Sequence, residues 1–189
     1  MKMSKALDGY WLDNERLSKN TKNDYRLTFR RFVERVGDKE ISEVTSLDVR
    51  GFLAYMSKEL KLSGKTCCNA WVALSSLWTW AEDALGIAHI VRKVEKPKYK
   101  TPIVETYTQA EIKAMIAGCE HNEEWTTKNG KQVKPTRSSV LRDKAIIVTL
   151  TDTGIRASEL CELEIRDYSD KTGRIDVREG KSDKDRTVY

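Results

Sequence analysis

No run of about 18 or more apolar residues occurs anywhere in the 189-residue chain, so a membrane-spanning helix is excluded as a reading. The opening residues, MKMSKALDGYWLDNERLSK, are polar and include acidic side chains. They lack the apolar core of a secretory signal, and the cytoplasm is the expected compartment. Cysteine is scarce. Cys67, Cys68, Cys119 and Cys161 form no Cys-x-x-Cys pair, and adjacent Cys67 and Cys68 are poor partners for each other, so reduced, partly buried thiols are expected. With only His89 and His121 present, a zinc site would need mixed ligands at no recognisable spacing. Neither a metal nor a cofactor is expected. Internal repeats and low-complexity tracts are also missing.

What is present is an uneven distribution of charge. The formal net charge is +5. Residues 1–100 hold 19 Lys and Arg against 13 Asp and Glu, while residues 101–189 hold 15 against 16. The excess positive charge sits in the first half. A basic half favours an anionic partner, of which nucleic acid is the commonest.

The first 86 residues read as helices. Asn20 or Thr21 can cap a helix running to about Val36, with Tyr25, Phe29, Phe32, Val33 and Val36 as its apolar stripe and Gly37 as its stop. Thr45-Ser46-Leu47-Asp48 has the spacing of a capping box and opens a second helix to about Leu60, whose face is Val49, Phe52, Leu53 and Met56. A third long helix follows Ser63-Gly64. Its Cys67, Trp71, Leu74, Trp78, Ala81 and Leu85 recur at helical steps and read as core, so Trp71 and Trp78 are read as core and not as base-stacking platforms. Trp80 lies off that stripe and reads as a surface or interface residue. Residues 89–106, with Lys93, Lys96, Pro97, Lys98, Lys100 and Pro102, read as a basic linker. They divide a helical domain, residues 1–88, from a second domain, residues 107–189.

In the second part the pattern changes. Thr108 to Glu111 opens a short helix carrying Ile112, Met115 and Ile116. Residues 120–138, with Asn129-Gly130 and Pro135, read as an exposed loop or short hairpin. A buried helix is expected from about Ser139 to Asp152, and a short one from Ala157 to Leu163. Residues 174–179 alternate like a strand, and Arg186 to Tyr189 begin another after a turn at Gly180–Lys184.

Two segments carry chemistry. In Thr153-Gly154-Ile155-Arg156-Ala157-Ser158-Glu159-Leu160, Gly154 breaks one helix and another starts within three residues. Arg156 therefore stands near a helix start, where its guanidinium can grip a phosphate through two parallel hydrogen bonds. Glu159, three residues on, lies on the same face and can hold Arg156 in place. The alternative is an exposed ion pair worth little. In Gly180-Lys181-Ser182-Asp183-Lys184-Asp185-Arg186-Thr187-Val188, a tight turn projects Lys181 from a hairpin end. There it can donate a proton to a leaving oxygen or contact a phosphate. The alternative is a charged, solvated hairpin.

Taken together, the order and spacing of these segments resemble the phage-integrase or tyrosine-recombinase family, with its T-G-x-R-x-S-E-L segment followed by a G-K-x-x-K-x-R-x-V hairpin. The resemblance covers essentially the whole chain. It implies a mainly α fold: an N-terminal core-binding, SAM-like domain of four to five helices, then part of a mixed α+β catalytic domain with a small β-hairpin. By the same resemblance, Arg156 is the first catalytic arginine, Lys181 assists departure of the 5′ oxygen, and Glu159 supports Arg156. The partner is double-stranded DNA, clamped between the two domains. Lys22, Arg26, Arg30 and Arg31 of the first long helix are candidate DNA contacts. So are Lys65, Thr66 and Asn69 at the start of the third, and Lys98 and Lys100 of the linker. Self-association, or association with a full-length recombinase on DNA, is expected of a relative of this kind.

One departure from the family is large. Family members continue into an H-x-x-R segment, a further His or Trp, and a tyrosine that attacks the phosphate. Both histidines here precede Arg156, and Tyr189 falls in the second hairpin strand, where the resemblance implies an ordinary apolar or aromatic residue. The expectation is the DNA-binding part of a mobile-element integrase that binds DNA without cutting it. The alternative is a natural non-catalytic protein that occupies recombination sites and competes with a complete recombinase.

Overall fold

The computed structural model describes residues 1–122, 125–178 and 185–189. The chain is mainly helical and divides into two compact units, residues 1–103 and 104–189.

The first unit is built from helices α1 (Met3–Asp13), α2 (Lys19–Val36), α3 (Ser46–Lys58) and α4 (Gly64–Leu85), with 3-10 turns at Ile41–Glu43 and Ile90–Lys93. Helices α2, α3 and α4 each start where a hydroxyl can satisfy free backbone N–H groups. Ser18 caps α2, two residues before the earlier of the two expected caps. Thr45 and Asp48 close the capping box of α3 as expected from their spacing, and Ser63 caps α4. Gly86 ends α4 in the left-handed region, at φ +66°.

Helix α1, one of the four to five helices expected but given no bounds by the sequence, supplies three fully buried side chains, Met3, Ala6 and Tyr10. They meet Phe29 and Phe32 of α2, Val49, Phe52 and Met56 of α3, and Leu74, Leu77, Trp78 and Ala81 of α4 in one core. The rings pack edge to face, as the aromatic quadrupole favours: Tyr10 on Phe29 at 5.5 Å, and Phe32 on Phe52 at 5.1 Å. Trp80 is not a free surface residue. It stands edge-on to Tyr10, and its Nε1–H donates to Asp13 at 2.6 Å, so it fastens α1 to α4.

The first part of the segment read as a linker is packed. Val91 and Val94 are buried in this same core. His89 donates from Nε2 to the Ser75 carbonyl and accepts the Arg92 N–H at Nδ1. Trp71 Nε1–H donates to the Val94 carbonyl at 2.9 Å.

The second unit begins with α5 (Gln109–Gly118), opened by a Thr108–Glu111 capping box. Strands β1 (Trp125–Thr126) and β2 (Gln132–Val133) form a small antiparallel hairpin turning at Gly130, φ +75°. Helices α6 (Val140–Thr153) and α7 (Ala157–Glu162) follow, then a 3-10 turn at Ile165–Asp167. Strands β3 (Ile175–Val177) and β4 (Arg186–Val188) pair antiparallel, with Ile175 opposite Val188 and Val177 opposite Arg186.

The expectation that α6 is a buried helix is overturned: Leu141 is 84% exposed and no residue of α6 is buried. Amphipathic spacing only marks a face for burial, and among the described residues α5 and α7 cover little of it. Among the described residues of this unit, Ile155, Ile175 and Val177 form a buried hydrophobic cluster, flanked by Leu150, Leu160, Leu163 and Val188.

Candidate functional site

Gly154 caps α6 in the left-handed region at φ +63°. Ile155 then turns inward and is buried, so the chain is pinned one residue before Arg156. Arg156 is the N-cap of α7 with an extended backbone, and its side chain is half exposed. Glu159, one turn on, points back. Its carboxylate accepts the Arg156 backbone N–H at 2.8 Å and one guanidinium N–H of the same residue at 2.7 Å.

A third group completes the cluster, and sequence reasoning gave it no role. Arg186 of β4 donates to both oxygens of Glu159, at 3.0 and 2.6 Å. The signal was in the strand alternation. Arg186 lies on the same face of β4 as Val188, which packs against the Ile155, Ile175 and Val177 core, so its side chain is directed toward α7. What local sequence did not say is that Glu159 would be buried, 5% exposed, and would need a second cation.

The electrostatics follow from this geometry. The bidentate Arg186 fork, then the Arg156 backbone N–H, hold the Glu159 carboxyl far below the usual carboxylate range, at about 2. The carboxylate in turn raises Arg186. Two guanidiniums around one carboxylate leave the cluster with an excess of positive charge. Arg156 spends one side-chain N–H direction on Glu159 and keeps the rest of its planar fork. The hairpin turn with Lys181 lies outside the described residues.

A neighbouring ion pair braces the same unit. Asp167 is buried beneath β3. Its Oδ2 accepts the Glu164 N–H at 3.0 Å, and its Oδ1 lies 2.8 Å from Arg178 Nε, close but without hydrogen-bond alignment.

The candidate contacts of the first unit have different neighbours. Lys22 donates to the Glu15 carbonyl, and Arg26 lies over the Trp11 ring at 5.2 Å, which places both on the α1 side of α2. Arg30 is exposed and 3.8 Å from Glu34. Arg31 lines a groove with Arg35, Tyr55 and Leu60 toward α3. Asn69 faces Thr21, Asp24, Tyr25 and Thr28 across the α2–α4 groove. Thr66 helps Ser63 close the start of α4. Lys65 and Lys100 do come together, in a groove with Ser63, Gly64 and Tyr99. There Lys65 donates to the Tyr99 hydroxyl at 2.8 Å. Lys98 is nearly fully exposed beside Glu95.

Among the described residues no group of three or more His, Cys, Asp or Glu side chains gathers to hold a metal, and no helix is long and apolar enough to cross a membrane. The cysteines are unpaired, with Cys67, Cys68 and Cys119 buried and Cys161 exposed.

Comparison with known proteins agrees with the motifs. Residues 106–189 match the phage integrase family, and residues 10–85 match the phage integrase N-terminal SAM-like domain. The chain belongs to the phage integrase family of tyrosine recombinases. It is 28% identical over 178 residues to tyrosine recombinase XerA of Pyrococcus furiosus, covering 94% of this chain and 53% of that protein. The chain thus spans about half the length of the curated relatives it matches. Its fold is similar to lambda integrase, solved as a tetramer bound to a Holliday junction, with a TM-score of 0.75 at 17% identity, covering 100% of this chain and 48% of that one. It is also similar to the Tn1549 transposon integrase, solved with circular intermediate DNA, with a TM-score of 0.72 at 20% identity, covering 100% and 60%. The Arg156 motif and the strand that carries Arg186 both lie within the residues matched to the integrase family.

Proposed function

We propose that this chain is the DNA-gripping part of a site-specific recombinase, with residues 1–88 as a helical DNA-binding domain and residues 107–189 as part of a catalytic domain. In a complete protein of this kind, strands are broken and rejoined through a 3′-phosphotyrosine. The observation that carries the reading is the Arg156–Glu159–Arg186 cluster, in which a buried carboxylate holds a half-exposed guanidinium in one orientation. Such a guanidinium is suited to bind the scissile phosphate and to stabilise the charge that develops on it. Lys181 assists the departing 5′ oxygen, and Glu159 supports Arg156. Self-association on DNA is part of the same reading, since relatives of this fold have been solved as assemblies on DNA.

The 189 residues alone bind duplex DNA and do not cut it, because no histidine follows Arg156 and Tyr189 directly follows β4, at a hairpin position where the family resemblance implies an ordinary apolar or aromatic residue. The test has two arms. Fluorescence anisotropy should show duplex binding that weakens steeply with salt, as Lys and Arg displace counterions. Replacing Arg26, Arg30 and Lys65 together by Ala should lower affinity for every sequence. Binding that is absent at about 50 mM salt, or indifferent to salt, defeats the reading. In the second arm the chain is extended with the C-terminal half of a close relative. Strand cleavage should then appear, and Arg156→Ala should slow it by about a hundredfold to a thousandfold. An adduct formed by the 189 residues alone would contradict the assignment.

A further inference from the structure

Arg186 has no role in the reading above, and its geometry is too specific for a solvated strand residue. It meets a buried carboxylate with two donors, at 3.0 and 2.6 Å, whereas Arg156 gives that carboxylate a single side-chain N–H. It also cross-links β4 to α7 by joining two residues 27 apart in sequence. Without it, Glu159 and Arg156 form a neutral pair, and the carboxylate cancels the charge that Arg156 offers a phosphate. With it, the carboxylate is already balanced, and the charge of Arg156 is available to a ligand.

We propose that Arg186 is a positioning residue for phosphate recognition: by saturating Glu159 from the strand side it fixes that carboxylate under Arg156 and leaves the Arg156 guanidinium net positive toward a DNA phosphate. The inference rests on the phosphate role of Arg156 and adds to it a second arginine that need not touch the ligand. The outcome depends on charge balance, which separates it from a purely structural brace. Removing Arg186 alone leaves Glu159 free to neutralise Arg156. Removing the Glu159 charge as well returns the net charge of Arg156, although the cross-link is still lost.

The experiment uses the full chain labelled with 15N-arginine. The Arg156 side-chain Nε–H resonance is followed by NMR during titration with inorganic phosphate, and then with a DNA duplex, at fixed pH. In the unsubstituted chain the resonance should move on titration. Arg186→Gln should weaken phosphate association at Arg156 by about fivefold, the scale of one partly exposed ion pair. Arg186→Lys should keep part of the affinity, since it keeps the charge and loses the fork. The double variant Glu159→Gln/Arg186→Gln should return to within about twofold of the unsubstituted chain. If the double variant binds no better than Arg186→Gln, Arg186 is a structural brace only and the inference fails. If Arg186→Gln does not fold, the comparison of Arg186→Lys with the double variant decides the same point. If Arg156 in the unsubstituted chain responds to neither phosphate nor duplex, it is the phosphate role of Arg156 that falls, and the inference with it.

Discussion

Glu159 illustrates how one residue's setting decides its chemistry. Its carboxyl sits at about 2 because Arg186 and the Arg156 backbone N–H favour the charged form. A depressed folded-state value contributes stability that is present above the unfolded carboxylate range. That stability is lost as pH falls through the folded value. The second unit should therefore hold this contribution unchanged above about pH 5 and lose it between about pH 4.5 and 2. In Arg186→Gln the folded value rises, so less of this stability exists to lose and the acid window narrows. Urea unfolding of the chain followed at several pH values checks this, and an unchanged acid limb in Arg186→Gln would count against the pairing. Tyr10 offers a milder residue-scale case. Its buried hydroxyl shares a 2.8 Å hydrogen bond with Ser76, and burial pushes its ionisation upward. Tyr10→Phe should cost about 1 kcal/mol, since one hydrogen bond is lost and the ring stays packed. Phe32→Ala, at the meeting point of α2, α3 and α4, should cost about 3–5 kcal/mol, read as a lowered urea midpoint of the first unit.

At the scale of elements, α1 is the informative case. It has no acidic residue in its first turn and no side-chain cap, so its intrinsic stability is low. It persists because Met3, Ala6 and Tyr10 are buried, and because its start is tied to the turn after α2. There Ser4 bonds Asp38 through both backbone and side chain at 2.8 Å. Deleting residues 1–14 should expose Trp80 and Phe29, shift tryptophan emission to the red and destabilise the first unit. An unchanged emission maximum and melting curve would show that α1 is a dispensable arm. The last turn of the first unit behaves in a comparable way. Val91 and Val94 are core residues, and Tyr99 packs on Gly64 closely enough that a Cβ there would lie 3.0 Å from the tyrosine Cβ. Gly64→Ala should therefore loosen the segment after Val94 while leaving the helices intact.

At the scale of the whole molecule, the two units differ in how much they bury. The first has a continuous core drawn from four helices and two 3-10 turns, while the hydrophobic core cluster of the second, among the described residues, is Ile155, Ile175 and Val177. Limited trypsin digestion should cut at exposed Lys98 and Lys100, sparing Lys96 because proline follows it. The surviving piece should end after Val94, since a piece ending near Gly86 would forfeit two buried valines. Thermal unfolding should show the second unit melting first, because a small core offsets less chain entropy. A single cooperative transition together with a protease-resistant 95–107 segment would argue that the two parts are one folding unit.

Much of this was legible in the chain itself. The periods of α2, α3 and α4, the capping boxes at Thr45–Asp48 and Thr108–Glu111, the stops at Gly37 and Gly86, and the Arg156–Glu159 spacing are local. Helix periodicity, hydroxyl capping and the i, i+3 step act within one or two turns of the residue that shows them. Helix α1, the inward turn of Val91 and Val94, the seat of Trp80 against Asp13, and the exposure of Leu141 on α6 were decided by what each segment packs against. Sequence spacing marks a face for burial and does not name the partner that covers it. Arg186 is the sharpest instance. Its strand and its motif were visible in the sequence, but the carboxylate it satisfies lies 27 residues away, and only the pairing of β3 with β4 beside α7 brings the guanidinium within 2.6 Å of it.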